Sequence, residues 1–252
     1  MVTRKSRREI EKMRTAGRIV AEVLALVESE LKPGISTGHL DRIAERHIRA
    51  AGAIPSFKGY GHKSNPFPAS LCISIDDEVV HGIPGDRTIR SGQIVSIDAG
   101  AIYDGWHGDG ARTFVVGPPT QEIDALVETT RLAMMAGIAS AVPGARIGDI
   151  SAAIEDVAAP LGYGIVRQFV GHGIGTEMHQ EPQVPNYRSG VRGLALAPGI
   201  CLAIEPMLTL GRPDVEIRPD GWTVVTSDGS LAAHFEHTIA ITDNGPEILT
   251  TV

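Results

Sequence analysis

The sequence predicts an α+β fold in which helices cover an antiparallel sheet, assembled from two related halves. Three observations carry this expectation. A Pro-Gly turn followed by an amphipathic segment occurs twice, a glycine-led apolar run ending in a carboxylate occurs twice, and the β-rich runs are joined by short glycine-containing connections.

Taken in chain order, the first helix is expected near Glu9 to Glu30. Leu31-Lys-Pro-Gly-Ile-Ser-Thr-Gly-His-Leu then resembles Ala141-Val-Pro-Gly-Ala-Arg-Ile-Gly-Asp-Ile, with Pro33/Pro143, Gly34/Gly144, Gly38/Gly148, Glu45/Glu155 and Gly52/Gly162 all 110 positions apart. In each copy the turn opens a helix that a glycine ends. Later landmarks keep their order while their spacing drifts. His81-Gly-Ile-Pro matches His172-Gly-Ile-Gly, and Gly92-Gln-Ile-Val-Ser-Ile-Asp98 matches Gly199-Ile-Cys-Leu-Ala-Ile-Glu205. Asp109 precedes Thr113-Phe-Val-Val as Glu236 precedes Thr238-Ile-Ala-Ile. This order pairs Asp98 with Glu205 and Asp109 with Glu236 across a pseudo-twofold axis. A further helix is expected near Gln121 to Ala141, and hairpins where Asp98 connects to Asp109 and Trp222 to Glu236. The halves fall at about 9–120 and 121–250 of a single domain spanning 1–252.

A chain of 252 residues can bury most of its apolar surface unaided, and 42% hydrophobic with 21% charged residues describes a globular protein. No apolar run approaches membrane length, and the basic start lacks the apolar stretch of a secretory signal, so a cytoplasmic location is expected. A formal charge of -7 argues against DNA as a partner. The cluster Arg4, Lys5, Arg7 and Arg8 is read as a solvated tail, with a ribosome-facing patch as the alternative, and a monomer is expected. Cys72 and Cys201 are too few for a disulfide framework and are expected to be reduced and in apolar surroundings.

Asp98 and Glu205 end runs that are otherwise apolar, and a buried carboxylate needs a counter-charge. Either alone reads as a strand end that reaches water. With Asp109, Glu236 and His172 the arithmetic changes, because four carboxylates carry the charge that two divalent cations neutralise, and one imidazole completes a set of mostly hard donors. Two metals sharing carboxylates favour hydrolysis of an amide or ester. His172 and His179 share a glycine-rich segment where side chains can approach a ligand, and His81 is the first-half counterpart of His172. His39, His47, His62, His107, His234 and His237 are expected to be structural or at the surface.

His81-Gly-Ile-Pro, Ser96-Ile-Asp98-Ala-Gly, Asp104-Gly-Trp-His-Gly-Asp109, Gly171-His172-Gly-Ile-Gly, Met178-His179-Gln-Glu-Pro, Ile204-Glu205-Pro-Met and His234-Phe-Glu236-His-Thr together resemble the signatures of the methionine aminopeptidases, over roughly Glu9 to Leu249. The resemblance implies the pita-bread fold and a dinuclear centre of Co, Mn, Fe(II), Zn or Ni held by Asp98, Asp109, His172, Glu205 and Glu236, with Asp109 and Glu236 bridging. It implies removal of the first methionine from nascent polypeptides, preferably before a small second residue. A metal-activated water attacks the scissile carbonyl, with Glu205 as general base. His179 would bind the substrate carbonyl and developing oxyanion, and His81 would contact the scissile nitrogen. Tyr60, Phe67, Cys72, Met178 and Trp222 would line the methionine pocket. The stretch Gly61-His-Lys-Ser-Asn-Pro66 departs from the family in being longer, and Phe67 stands where tyrosine is common. Only 25 residues lie between His179 and Glu205, where type II relatives carry an inserted subdomain, which favours type I. The rivals are a prolidase or aminopeptidase P, which carry a substantial N-terminal domain, and a catalytically dead binding module.

Overall fold

The computed structural model describes residues 2–252. Its helices are α1 (Arg7–Glu30), α2 (Thr37–Ala50), α3 (Gln121–Ser140) and α4 (Ile147–Ala158). Its strands are β1 (Ile54–Pro55), β2 (Leu71–Ile75), β3 (Glu78–Val80), β4 (Ile94–Tyr103), β5 (Trp106–Val115), β6 (Gly164–Ile165), β7 (Gly171–Gly173), β8 (Gln180–Val184), β9 (Cys201–Ile204), β10 (Met207–Thr209), β11 (Val215–Ile217), β12 (Val224–Thr226), β13 (Ala232–His234), β14 (Glu236–Thr242) and β15 (Gly245–Ile248).

Local chemistry sets the helix ends. α1 starts two residues before the expected position because Ser6 and Glu9 form a capping box: the Ser6 hydroxyl accepts from the Glu9 N–H, and the Glu9 carboxylate accepts from the Ser6 N–H. Ser36 and Thr120 cap α2 and α3 in the simpler way, and α3 ends at Ser140, one residue short of the expectation. The two Pro-Gly turns make the same contacts. The Gly34 N–H donates to the Ile89 carbonyl at 2.8 Å as Gly144 does to Leu196 at 2.9 Å, and Gly38 donates to Gly85 as Gly148 does to Arg192. Gly34 and Gly144 have φ of 91° and 87°, a region in which a side chain would be strained.

Nine strands form the main antiparallel sheet, in which β4, β5, β14, β9 and β7 are successive neighbours. β4 and β5 are the expected hairpin, paired from Ile94↔Val115 to Tyr103↔Trp106 around Asp104 and Gly105, both at positive φ as a type I′ turn requires. The hairpin expected between Trp222 and Glu236 does not form. β12 pairs with β11 and β3, β13 pairs with β10, and β14 lies between β9 and β5. Pro206 interrupts the ladder after β9, and the Asp220 carboxylate, accepting from the Trp222 and Thr223 N–H groups, turns the chain towards β12 instead.

Strand alternation separates two functions. Val95, Ile97, Ala99 and Ala101 of β4 pack with Val20, Val23 and Leu24 of α1 and Leu40 and Ile43 of α2. Leu202, Ile204, Ile239 and Ile241 pack with Leu126, Met134 and Ile138 of α3 and Ile150 and Ile154 of α4. Each such large apolar side chain contributes roughly 1.5–3 kcal/mol on burial. α1 lies directly on β5: a Cβ added at Gly108 would stand 2.6 Å from the Gly17 nitrogen. The N-terminal basic cluster is not wholly a solvated tail. Lys5 is buried, its N–H donates to the Gly199 carbonyl, and its ammonium lies 3.3 Å from Gln180 Oε1, while Arg4 donates to the Pro198 carbonyl at 2.7 Å. Arg4, Arg7 and Arg8 are exposed. Both cysteines are buried and unpaired, as expected.

Candidate metal centre

The ladder registers aim the expected ligands at one face. Asp98 is opposite Ala111, and Asp109 precedes Ala111 by two, so both aspartates point the same way. Glu236 is also opposite Ala111. Thr238, two residues further along β14, is opposite Ala203, which is opposite His172 and two residues before Glu205. Five neighbouring strands, or the residue just past one, thus each supply one side chain to the same spot. One ligand atom from each of Asp109, His172 and Glu236 lies within 4.8 Å of the others.

The electrostatics are those of an acidic basin short of positive charge. Among the described residues no lysine or arginine pairs with these four carboxylates; Glu205 has only His172 at 3.3 Å and His234 at 3.8 Å. Asp98 Oδ1, Asp109 Oδ1 and Glu236 Oε1 are buried without a hydrogen-bond partner. Burial pushes the Asp98 carboxyl up to about 7 and raises Asp109, Glu205 and Glu236 well above the ordinary range, with mutual repulsion adding to the last three. His172 is held as a neutral, oriented imidazole. Its Nδ1–H donates to the Gly173 carbonyl at 3.0 Å, leaving the Nε2 lone pair towards Glu205, and burial lowers its pKa to about 3. Hard carboxylates, one oriented imidazole and orphaned buried oxygens fit divalent cations.

The basin floors a cavity of about 250 Å³ that all the remaining expected residues line: Tyr60, Phe67, Cys72, His81, Met178, His179 and Trp222. Phe57, Phe67, Cys72 and Met178 form one apolar cluster with Trp222 against it. The loop carrying Gly61 to Pro66 is clasped at its base, where Gly59 donates to Phe67 and Phe67 donates to Tyr60, and Trp222 Nε1 donates to the Asn65 carbonyl at 3.1 Å. His81 sits at φ 61°, a strained conformation for a histidine, with its ring edge-on to Phe169 and Trp222. The Tyr60 hydroxyl is 2.6 Å from His179 Nδ1.

Sequence reasoning passed over Phe57, Gln168, Phe169, Val170 and Met207 as lining residues. Met207 stood in the quoted Ile204-Glu205-Pro-Met motif, and Phe169 two residues before Gly171; the remaining three had no signal. His234, expected to be structural or at the surface, is at the basin itself. The pairing of Asp109 with Glu236 is also corrected. Thr113 exchanges two hydrogen bonds with the His234 backbone, and Thr238 exchanges the same two with Asp109. Each threonine follows its counterpart's partner by four residues, so the position mirroring Asp109 is His234, and Glu236 mirrors Ala111. Asp98 and Glu205, opposite Ala111 and beside Glu236 in register, keep their pairing.

A pita-bread sheet whose register gathers four buried carboxylates and an imidazole at the floor of a cavity defines a metallopeptidase. The family model described as metallopeptidase family M24 matches residues 11–243. The methionine aminopeptidase of Clostridium acetobutylicum is 51% identical over 99% of each chain, and the crystal structure of that of Thermotoga maritima superposes with a TM-score of 0.96 at 42% identity over 100% of each chain. More distantly, a Pyrococcus horikoshii prolidase shares the fold with a TM-score of 0.80 at 26% identity, over 99% of this chain but 63% of its own. The chain belongs to metallopeptidase family M24, among its methionine aminopeptidases.

Proposed function

We propose that this protein removes the N-terminal methionine from nascent proteins and peptides when the second residue is small, as a type I enzyme. One observation carries the reading: an apolar, sulfur- and aromatic-lined cavity ends on the carboxylate basin, so an unbranched thioether side chain seated among Phe67, Cys72, Met178 and Trp222 brings its own carbonyl to Glu205 and His179. Asp98, Asp109, His172, Glu205 and Glu236 would hold two divalent ions among Co, Mn, Fe(II), Zn and Ni. When bound, these ions supply Lewis acidity and lower the pKa of the attacking water.

The chain's own groups do the rest. Glu205, at the inner end of the cavity, accepts the water's proton as general base. With Tyr60 donating to Nδ1, His179 carries its proton on Nε2 and donates to the carbonyl oxygen as charge develops there. His81, neutral because burial lowers its pKa to about 4, contacts the scissile nitrogen. The recurring turn contacts and threonine exchanges support a single catalytic domain of two related halves, about 9–120 and 121–250. No described helix is long and apolar enough to cross a membrane, and the setting proposed is a cytoplasmic monomer, with exposed Arg4, Arg7 and Arg8 available to the ribosome.

The test is release of methionine from Met-Ala-Ser, compared with Met-Lys-Ser and a peptide with proline second and a residue other than methionine first, with and without added metal. Metal-dependent cleavage of the first alone is expected. Equal rates on the first two would sink the second-residue preference, and cleavage of the third alone would favour the prolidase reading.

A further inference from the structure

His234 stands where the other half carries Asp109, fixed at both backbone ends: its N–H donates to Thr113 Oγ1 at 2.9 Å and its carbonyl accepts from the same hydroxyl at 2.7 Å. Its side chain is 2% exposed, and Nε2 has no hydrogen-bond partner. That nitrogen lies 3.8 Å from Glu205 Oε2, on the carboxylate oxygen that His172 does not face, and one ligand atom each of Glu205, His234 and Glu236 fit within 4.8 Å. A structural histidine would bond both its polar ends; a buried nitrogen left unpaired beside two carboxylates is costly unless a cation satisfies all three.

We propose that His234 is a further metal ligand, binding through Nε2 the ion that lies beside Glu205 and Glu236. The inference rests on the reading that these carboxylates hold divalent ions, and adds to it a second imidazole. A nitrogen donor added beside the carboxylates moves the preference of that ion site away from Mn and towards Fe(II), Co, Ni and Zn, which imidazole suits better.

Cadmium-113 is the probe, because protons of a ligating imidazole couple to it and each histidine ligand gives its own correlation. The loaded native protein should show two imidazoles, and His234→Gln should remove one and leave the His172 signal. In parallel, Co and Zn titrated into His234→Gln should show a dissociation constant at the affected site raised by at least about tenfold, since even groups one shell further out are worth about 10–100-fold, with Mn changed less. A single imidazole in the loaded native protein, or two surviving in the variant, overturns the assignment of His234 while leaving the other ligands standing. Failure of the native protein to bind any of these ions overturns both. A single imidazole in the native protein overturns the assignment whether or not the variant folds.

Discussion

Tyr60 and His179 form a short polar contact in the cavity, 2.6 Å long, and its direction of donation decides what His179 can do. If the imidazole keeps Nε2–H for the substrate, His179→Ala removes one donor to the oxyanion, worth roughly 3 kcal/mol or about a hundredfold in kcat, with bound metal unchanged. Steady-state kinetics beside metal analysis checks this, and a parallel loss of metal and activity would move His179 into the ligand set. Asp98 and Glu205 of the basin were legible in the sequence because an acidic residue ending an apolar run demands an explanation. His234 was not, since Ala-Ala-His-Phe reads as ordinary strand, and its meaning comes from a mirror position that only the threonine bonds reveal.

At the level of elements, α1 and β5 approach until backbone meets backbone at Gly17 and Gly108. Gly108→Ala would force the two apart, and such overpacking costs about 1–3 kcal/mol. A lowering of Tm by several degrees is expected in scanning calorimetry, against no change for Gly85→Ala, where an added Cβ meets nothing within 4 Å. Equal Tm for the two variants would show that the contact yields without strain. The helices were readable from periodicity and turn glycines. The early start of α1 was also readable, since Ser6-Arg-Arg-Glu9 spells a capping box. The second hairpin was misjudged for a physical reason: short loops favour local pairing, but β14 finds better partners in β9 and β5, far away in the sequence.

For the whole molecule, the basin links stability to pH. Above the ordinary histidine value near 6.5 the imidazoles are neutral folded or unfolded, so among the basin groups only the carboxylates then differ between the two states. Their folded pKa values are raised, Asp98 to about 7 and the other three further above their ordinary range, so the folded state holds more protons. Their stabilising contribution is complete below the unfolded values and is lost as pH rises through the folded ones. Metal-free protein should therefore melt at a lower temperature at pH 8.5 than at pH 7, and divalent metal should remove most of the difference. A pH-independent Tm in chelator would mean the carboxylates are relaxed by solvent.

The exposed connection at Gly117-Pro-Pro-Thr120 lies between the strands that carry Asp98 and Asp109 and those that carry His172, Glu205 and Glu236. A chain severed there becomes a two-component system in which neither fragment owns a complete coordination sphere. Fragments 1–118 and 119–252, co-refolded, should associate more tightly as divalent ion is added, by mass action on the assembled form alone. Analytical ultracentrifugation across a metal titration would follow it, and association indifferent to metal would show that the apolar contacts between the pieces suffice. Where added ion does tighten the association, it serves as an assembly signal as well as a reagent, reporting that both pieces of the molecule have arrived.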